Sequence, residues 1–179
     1  MKQLKIITAS FLALLLFTFS QCKKKTEEPR LPPETTTGAM TFGCKVNGKV
    51  FVPKDGRGRP GLFVQYLNLG AGPSGGWFLN IGASDWTNSD IPSMGLETDS
   101  LLVLENNTYQ MKKNQKGFPF GAYSIGNNQF RMLSADTGEL MITKHDQFSR
   151  ILSGKFWFNA TTSSGVKVEV TEGIFDILY

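Results

Sequence analysis

The 179-residue chain has two cysteines, one histidine and no stretch of 12 or more residues with a 3.6-residue apolar period. Each shortage excludes something. Without helical periodicity, long amphipathic helices are not expected and the fold should be built from strands. A structural or catalytic zinc site draws on at least three protein ligands, mostly His and Cys, so His145 with a spare thiol falls short of one. A Ser-His-Asp hydrolase needs a base and an orienting acid. His145 is followed directly by Asp146, but neighbours on a strand point to opposite faces, and no G-x-S-x-G elbow is present. The chain also lacks a dense basic patch. Its net charge of +4 is spread along the sequence, and residues 42–179 hold 13 basic and 12 acidic side chains. That balance argues against nucleic acid as a partner.

The beginning of the chain carries the clearest signal. Lys2 and Lys5 precede the 14-residue stretch Ile6 to Phe19, which is mainly apolar. As a helix it would span about 21 Å, short of a hydrocarbon core of roughly 30 Å. A positive start, a short apolar stretch and small polar residues are the pattern of a secretory signal. Phe19-Ser20-Gln21-Cys22 resembles the lipobox of bacterial lipoproteins, with Phe19 and Gln21 departing from its usual residues. The expectation is a signal peptide over 1–21 and acylation of Cys22, which becomes the new N-terminus. Each buried methylene contributes about 0.8 kcal/mol, so two or more acyl chains hold firmly to a membrane. The expected address is the cell envelope, anchored by lipid to an outer membrane and facing the periplasm or the exterior. With Cys22 acylated, Cys44 has no intrachain disulfide partner. Residues 22–41 are charged and rich in Pro and Thr, a composition expected to form a flexible or partly extended tether.

From Phe42 to Tyr179 the chain reads as one β-rich domain. Asn47-Gly48 joins two alternating runs, a strong hairpin signal. Leu62 to Leu69 and Trp77 to Ala83 form a second hairpin candidate across a Gly-rich turn, and "SDWTNSDIPSMG" reads as a long polar loop. Further strands are expected at Leu101 to Leu104, Tyr109 to Met111, Ala122 to Ile125, Gln129 to Leu133 and "ELMITKHD", then in two long C-terminal segments. In the last of these Val166, Val168 and Val170 alternate with polar residues. In the other, Trp157 alternates with Phe156 and Phe158, which favours two layers. The fold class expected is all-β, an antiparallel β-sandwich or barrel-like sheet. Cys44 falls on the same side of its strand as Phe42 and Val46 and is expected to be buried.

The pairing of "TFGCKVNGKVFVP" with "MITKHD", "RILSGKFWFNAT" and "GVKVEVTEGIFDI" resembles a family of uncharacterised Bacteroidota lipoproteins. The resemblance implies a signal peptide, an acylated cysteine and one β-rich domain of unknown function, and it brings no catalytic residues. The chain departs from the family's usual Arg at Ile174.

Candidate sites are few. Asp85 to Asp90 offers oxygen side chains but lacks the glycine and glutamate spacing of a calcium loop. Glu97 and Asp99 share a face if their segment is extended, as do many solvated pairs. Trp77, Trp86, Phe118 and Phe120 lie in or beside loops, where aromatics on β-scaffolds build carbohydrate and peptide sites. No catalytic residue, metal site or cofactor is expected. The reading is a lipid-anchored, non-enzymatic envelope protein with a structural or interaction role. Its rival is a glycan- or peptide-binding lipoprotein using those four aromatics.

Overall fold

The structure, a computed structural model, describes residues 29–179. The expected signal peptide and Cys22 lie outside the described residues. There are eleven strands and no helix among those residues: β1 (Thr41–Val46), β2 (Lys49–Phe51), β3 (Leu62–Asn68), β4 (Trp77–Ser84), β5 (Ser93–Thr98), β6 (Thr108–Met111), β7 (Pro119–Ile125), β8 (Asn128–Arg131), β9 (Gly138–Asp146), β10 (Ile151–Thr161) and β11 (Lys167–Leu178). They form one antiparallel sheet in the order β2-β1-β11-β10-β8-β7-β5-β4-β3, and β9 and β6 branch from β10. The branch splits the sheet into two walls that face each other. Phe51 of β2 meets Tyr123 of β7 at 6.5 Å between ring centroids, across the core. The result is sandwich-like and does not close into a barrel.

Local chemistry accounts for the pairings. Asn47 and Gly48 both have positive φ, 47° and 78°, the conformation a two-residue hairpin turn demands. The Asn47 side chain also accepts from the Glu169 amide at 2.9 Å, tying the turn to β11. On the inner face Phe42, Phe156, Phe158 and Phe175 are buried. Glycines on facing or neighbouring strands make room for them. A methyl on Gly121 would lie 2.5 Å from the Phe158 ring, and one on Gly173 would lie 2.6 Å from the Phe156 ring. Cys44 is fully buried on the side of Phe42, and burial pushes its thiol up to about 12. Trp157 points the other way from Phe156 and Phe158 and stays partly exposed.

Three expectations are corrected. The polar loop of the sequence reading runs into β5, which begins at Ser93 inside it; Met94 and Leu96 face the core while Ser93, Gly95 and Glu97 face outward. Leu101 to Leu104 is no strand. Val103 is buried, but side chains take the backbone: the Tyr66 hydroxyl accepts from the Val103 amide and the Tyr109 hydroxyl from Leu104. Leu102 and Leu104 are exposed; Val103 alone of the run is buried, and the run makes no ladder. Val166 precedes β11 and is exposed, so the alternation is obeyed only by Val168 and Val170.

The described part of the expected tether also departs from a free linker. Residues 30–40 cross the outer face of β1, β11 and β10 as a strap. The Pro32 ring lies over Gly43, and Glu34 pairs with Lys155 at 2.8 Å. Its main fastening is Asp176 of β11, which is 1% exposed. The carboxylate accepts from the Thr35 hydroxyl (2.6 Å), the amides of Thr37 (3.0 Å), Gly38 (2.8 Å) and Ala39 (3.1 Å), and the Ser153 hydroxyl (2.8 Å). The segment has little apolar surface to bury, so its order comes from a charged acceptor supplied by the far end of the chain.

Candidate functional site

The four aromatics of the sequence reading do not gather into one surface. Trp77 turns inward at the start of β4 and stacks on Tyr66 at 4.8 Å. Trp86 lies beyond the other end of β4, roughly 25–30 Å along the strand. Its indole donates to the Pro60 carbonyl at 2.8 Å, and the Arg59 guanidinium covers its ring at 4.8 Å. Phe118 is capped by the Lys112 ammonium at 3.8 Å. Phe120 is half-buried on the outward-facing row of β7, opposite Glu97.

The remaining candidates are occupied by local bonding. His145 sits half-buried at the end of β9, its ring nitrogens 2.9 Å from the Val103 carbonyl and 3.1 Å from the Tyr179 hydroxyl. Asp146 accepts from the Phe148 and Ser149 amides in the next turn and does not orient the imidazole. Asp85 accepts from Thr87 and from the Lys54 ammonium at 3.1 Å. Among the described residues, no three His, Cys, Asp or Glu side chains are grouped to hold a metal. Asp99 lies just past the end of β5, so it is not paired with Glu97 on the strand.

A surface that the sequence did not suggest is the outer face of β3, β4, β5, β7 and β8. Strand register sets three parallel rows across it. The middle row runs Phe63, Gly82, Gly95, Ala122, Arg131. One flank runs Ser84, Ser93, Ser124, Gln129, and the other Gln65, Asn80, Glu97, Phe120. The glycines open a depression of about 340 Å³ over Gly82, Gly95, Ala122 and Arg131, with Ser84, Ser93, Ser124 and Gln129 along one side.

Those two glycines differ from the packing glycines of the core. Neither has positive φ, so the backbone does not require them. Nor does space: a methyl on Gly82 would meet nothing closer than Phe63 Cβ at 3.8 Å. On Gly95 it would meet the movable Glu97 Oε1 at 3.3 Å and Ala122 Cβ at 4.0 Å. Mid-strand glycine costs roughly 0.5–1 kcal/mol relative to alanine, and in strands it marks close approach of a ligand or another backbone. Glu97 and Arg131 supply opposite charges at this surface. Burial pushes the Glu97 carboxyl up, against the pull of the Arg131 guanidinium. The face therefore offers an open floor, an aromatic at one margin, a cation at the other and polar rails between.

A second depression of about 500 Å³ lies between the strap and the outer face of β9, β10 and β11, with Met141, Trp157 and Ile174 on its floor. Its polar groups are paired with one another. Glu139 accepts from Gln110 (2.7 Å) and Trp157 (3.2 Å), Lys155 holds Glu34, and Lys45 holds Glu172 at 2.7 Å. They converge on each other, not into the space.

Residues 88–177 match a family described as a domain of unknown function, DUF6252. The chain belongs to that family. No curated protein and no solved structure matches the chain. The DUF6252 match takes in β5 to β10 and all of β11 but its last residue, and excludes the first four strands. Gly95, Glu97, Ala122 and Arg131 fall inside it, while Phe63, Asn80 and Gly82 lie before it.

Proposed function

We propose that this DUF6252 protein is a lipid-anchored, exported, non-catalytic domain that binds a saccharide on the outer face of β3, β4, β5, β7 and β8. The observation that carries the reading is the side-by-side pair Gly82 and Gly95, whose missing side chains serve neither backbone nor core. A sugar ring presents apolar faces and a rim of hydroxyls. The depression answers with a flat floor and with donors and acceptors along one side, from Ser84, Ser93, Ser124, Gln129 and Arg131, while Phe63 ends the same row on β3. Its volume suits one or two rings. A non-catalytic role is supported by the hydrogen bonds that engage His145 and Asp146 and by the deep burial of Cys44, whose thiol is unreactive in that setting. Ser153 likewise is buried and donates to Asp176.

The test uses the mature chain from residue 22 with Cys22→Ser, on a glycan array and then by calorimetry with any hit. The Gly82→Val/Gly95→Val variant is expected to lose binding at least tenfold while its melting temperature holds or rises, since valine suits a strand better than glycine. Silence across the array would overturn the saccharide in favour of a purely structural role at the envelope. Undiminished binding by the double variant would overturn this face as the site.

The anchor is a separate part of the proposal, supported by the lipobox-like Phe19-Ser20-Gln21-Cys22. In cells making the full chain, Cys22→Ser is expected to move the protein from the membrane fraction to the soluble fraction. Retention in the membrane fraction would sink the acylation.

A further inference from the structure

A strand at the edge of a sheet exposes half of its backbone donors and acceptors, and proteins normally guard such edges. Two of the edges here are guarded. β2 has only three residues, begins with Lys49 and is followed closely by Pro53. β6 has four residues and runs into Lys112 and Lys113. β3 is different. It is seven residues long, LFVQYLN, with no charge, no proline and no bulge in its pairing with β4. It ends the strand order, and among the described residues no other backbone or side-chain group hydrogen-bonds to its free edge. Phe63 and Leu67 on its outer face are 50% and 42% exposed.

We infer that β3 pairs antiparallel with β3 of a second copy of this chain, about a twofold axis through Gln65. Symmetry restricts the register. An axis perpendicular to the sheet keeps each side chain on its own face, so residues pair only with residues of the same parity and the axis must pass through one residue. Full overlap of Leu62–Asn68 puts that residue at the strand's centre, Gln65. This register sets Phe63 opposite Leu67 of the second copy, and Leu67 opposite its Phe63, covering both exposed apolar side chains at once. Val64 and Tyr66 pair in the same way on the inner face. A neutral amide at the axis faces its own image without repulsion, as a lysine or glutamate would not.

The pairing has a consequence for the depression described above. The row from Arg131 to Phe63 continues into Leu67 and then Phe78 of the second copy, so the two depressions lie on one continuous sheet, offset along the strands by four residues. The inference goes beyond the saccharide reading and does not rest on it.

Cross-linking of the full chain in cell membranes tests it. In the proposed register a cysteine at position 65 faces its own copy at cross-strand distance, close enough for a disulfide after mild oxidation. A cysteine at position 67 faces position 63 and lies too far from its own copy. Gln65→Cys is expected to give a disulfide-linked dimer at least about tenfold more abundant than Leu67→Cys gives, although both positions are exposed on the same strand. Leu67→Cys co-expressed with Phe63→Cys should restore the dimer. Equal cross-linking at 65 and 67, no dimer from either, or a cross-linked species whose mass shows a different protein on the edge would each overturn the inference. Cys44 is buried and does not contribute.

Discussion

Replacing Asp176 with alanine is expected to lower stability by about 3 kcal/mol or more, because three amides and two hydroxyls would lose a shared buried acceptor. For a domain of this size that is a fall of roughly 10 °C in melting temperature. Hydrogen exchange at the Gly38 and Ala39 amides should report the release directly, rising far more than exchange at the centre of β10. The carboxylate also sets an acid limit. Burial alone pushes its pKa up, but the Thr35 and Ser153 hydroxyls and the Ala39 and Thr37 amides outweigh it and hold the group well below its ordinary range. A depressed folded-state pKa contributes stability that is present above the unfolded value near 4 and is lost as pH falls through the folded value. Wild-type stability should therefore drop below about pH 4, and Asp176→Asn should flatten that limb. An alanine variant that melts within a degree or two of wild type would remove the strap from any account of stability.

Phe158→Ala is expected to cost about 3–5 kcal/mol, the range for emptying a buried aromatic site. Phe158 is the largest fully buried side chain among the described residues, and it occupies the space left by two glycines. A methyl would lie 2.5 Å from its ring at Gly121 and 2.6 Å from its Cβ at Gly138. Gly121→Ala alone should therefore destabilise by overpacking, by about 1–3 kcal/mol. Shrinking the ring makes room for that methyl, so Phe158→Leu/Gly121→Ala should be less destabilised than the two single changes added together, with a coupling of about 1 kcal/mol. Denaturant melts of the four proteins measure it. Strict additivity would mean that the glycine and the ring do not compete for the same space.

How far the fold could be read from the amino acids depends on which force sets each element. The Asn47-Gly48 hairpin, the β3–β4 hairpin and the two long C-terminal strands follow from local rules, turn chemistry and period-two alternation. β5 escaped because its outward positions are Ser93, Gly95 and Glu97, and such residues look like loop when only composition is weighed. Leu101 to Leu104 misled for the opposite reason: it is apolar, but only Val103 is buried, and the Tyr66 and Tyr109 hydroxyls take the Val103 and Leu104 amides in place of a ladder. The site was harder still. The loop aromatics Trp77 and Trp86 are held by Tyr66, Pro60 and Arg59, contacts that no spacing reveals. Gly82 and Gly95 are 13 residues apart in sequence and adjacent across β4 and β5. Only the register brings them together, and only the empty space above each separates them from the core glycines. The order of residues 30–40 depends on Asp176, more than 130 positions downstream, and no local pattern could foretell it.

The strap also limits how high the domain can ride above a bilayer. Under the proposed acylation, the leash runs only from Cys22 to Pro32, the residue clamped over Gly43. Ten residues reach at most about 35 Å, whereas a leash running on to Thr41 would reach about 65 Å. With the strap fastened by Asp176, such an anchor would hold the outer face of β1, β11 and β10 within about 35 Å of the headgroups, roughly half the distance a free tether would allow.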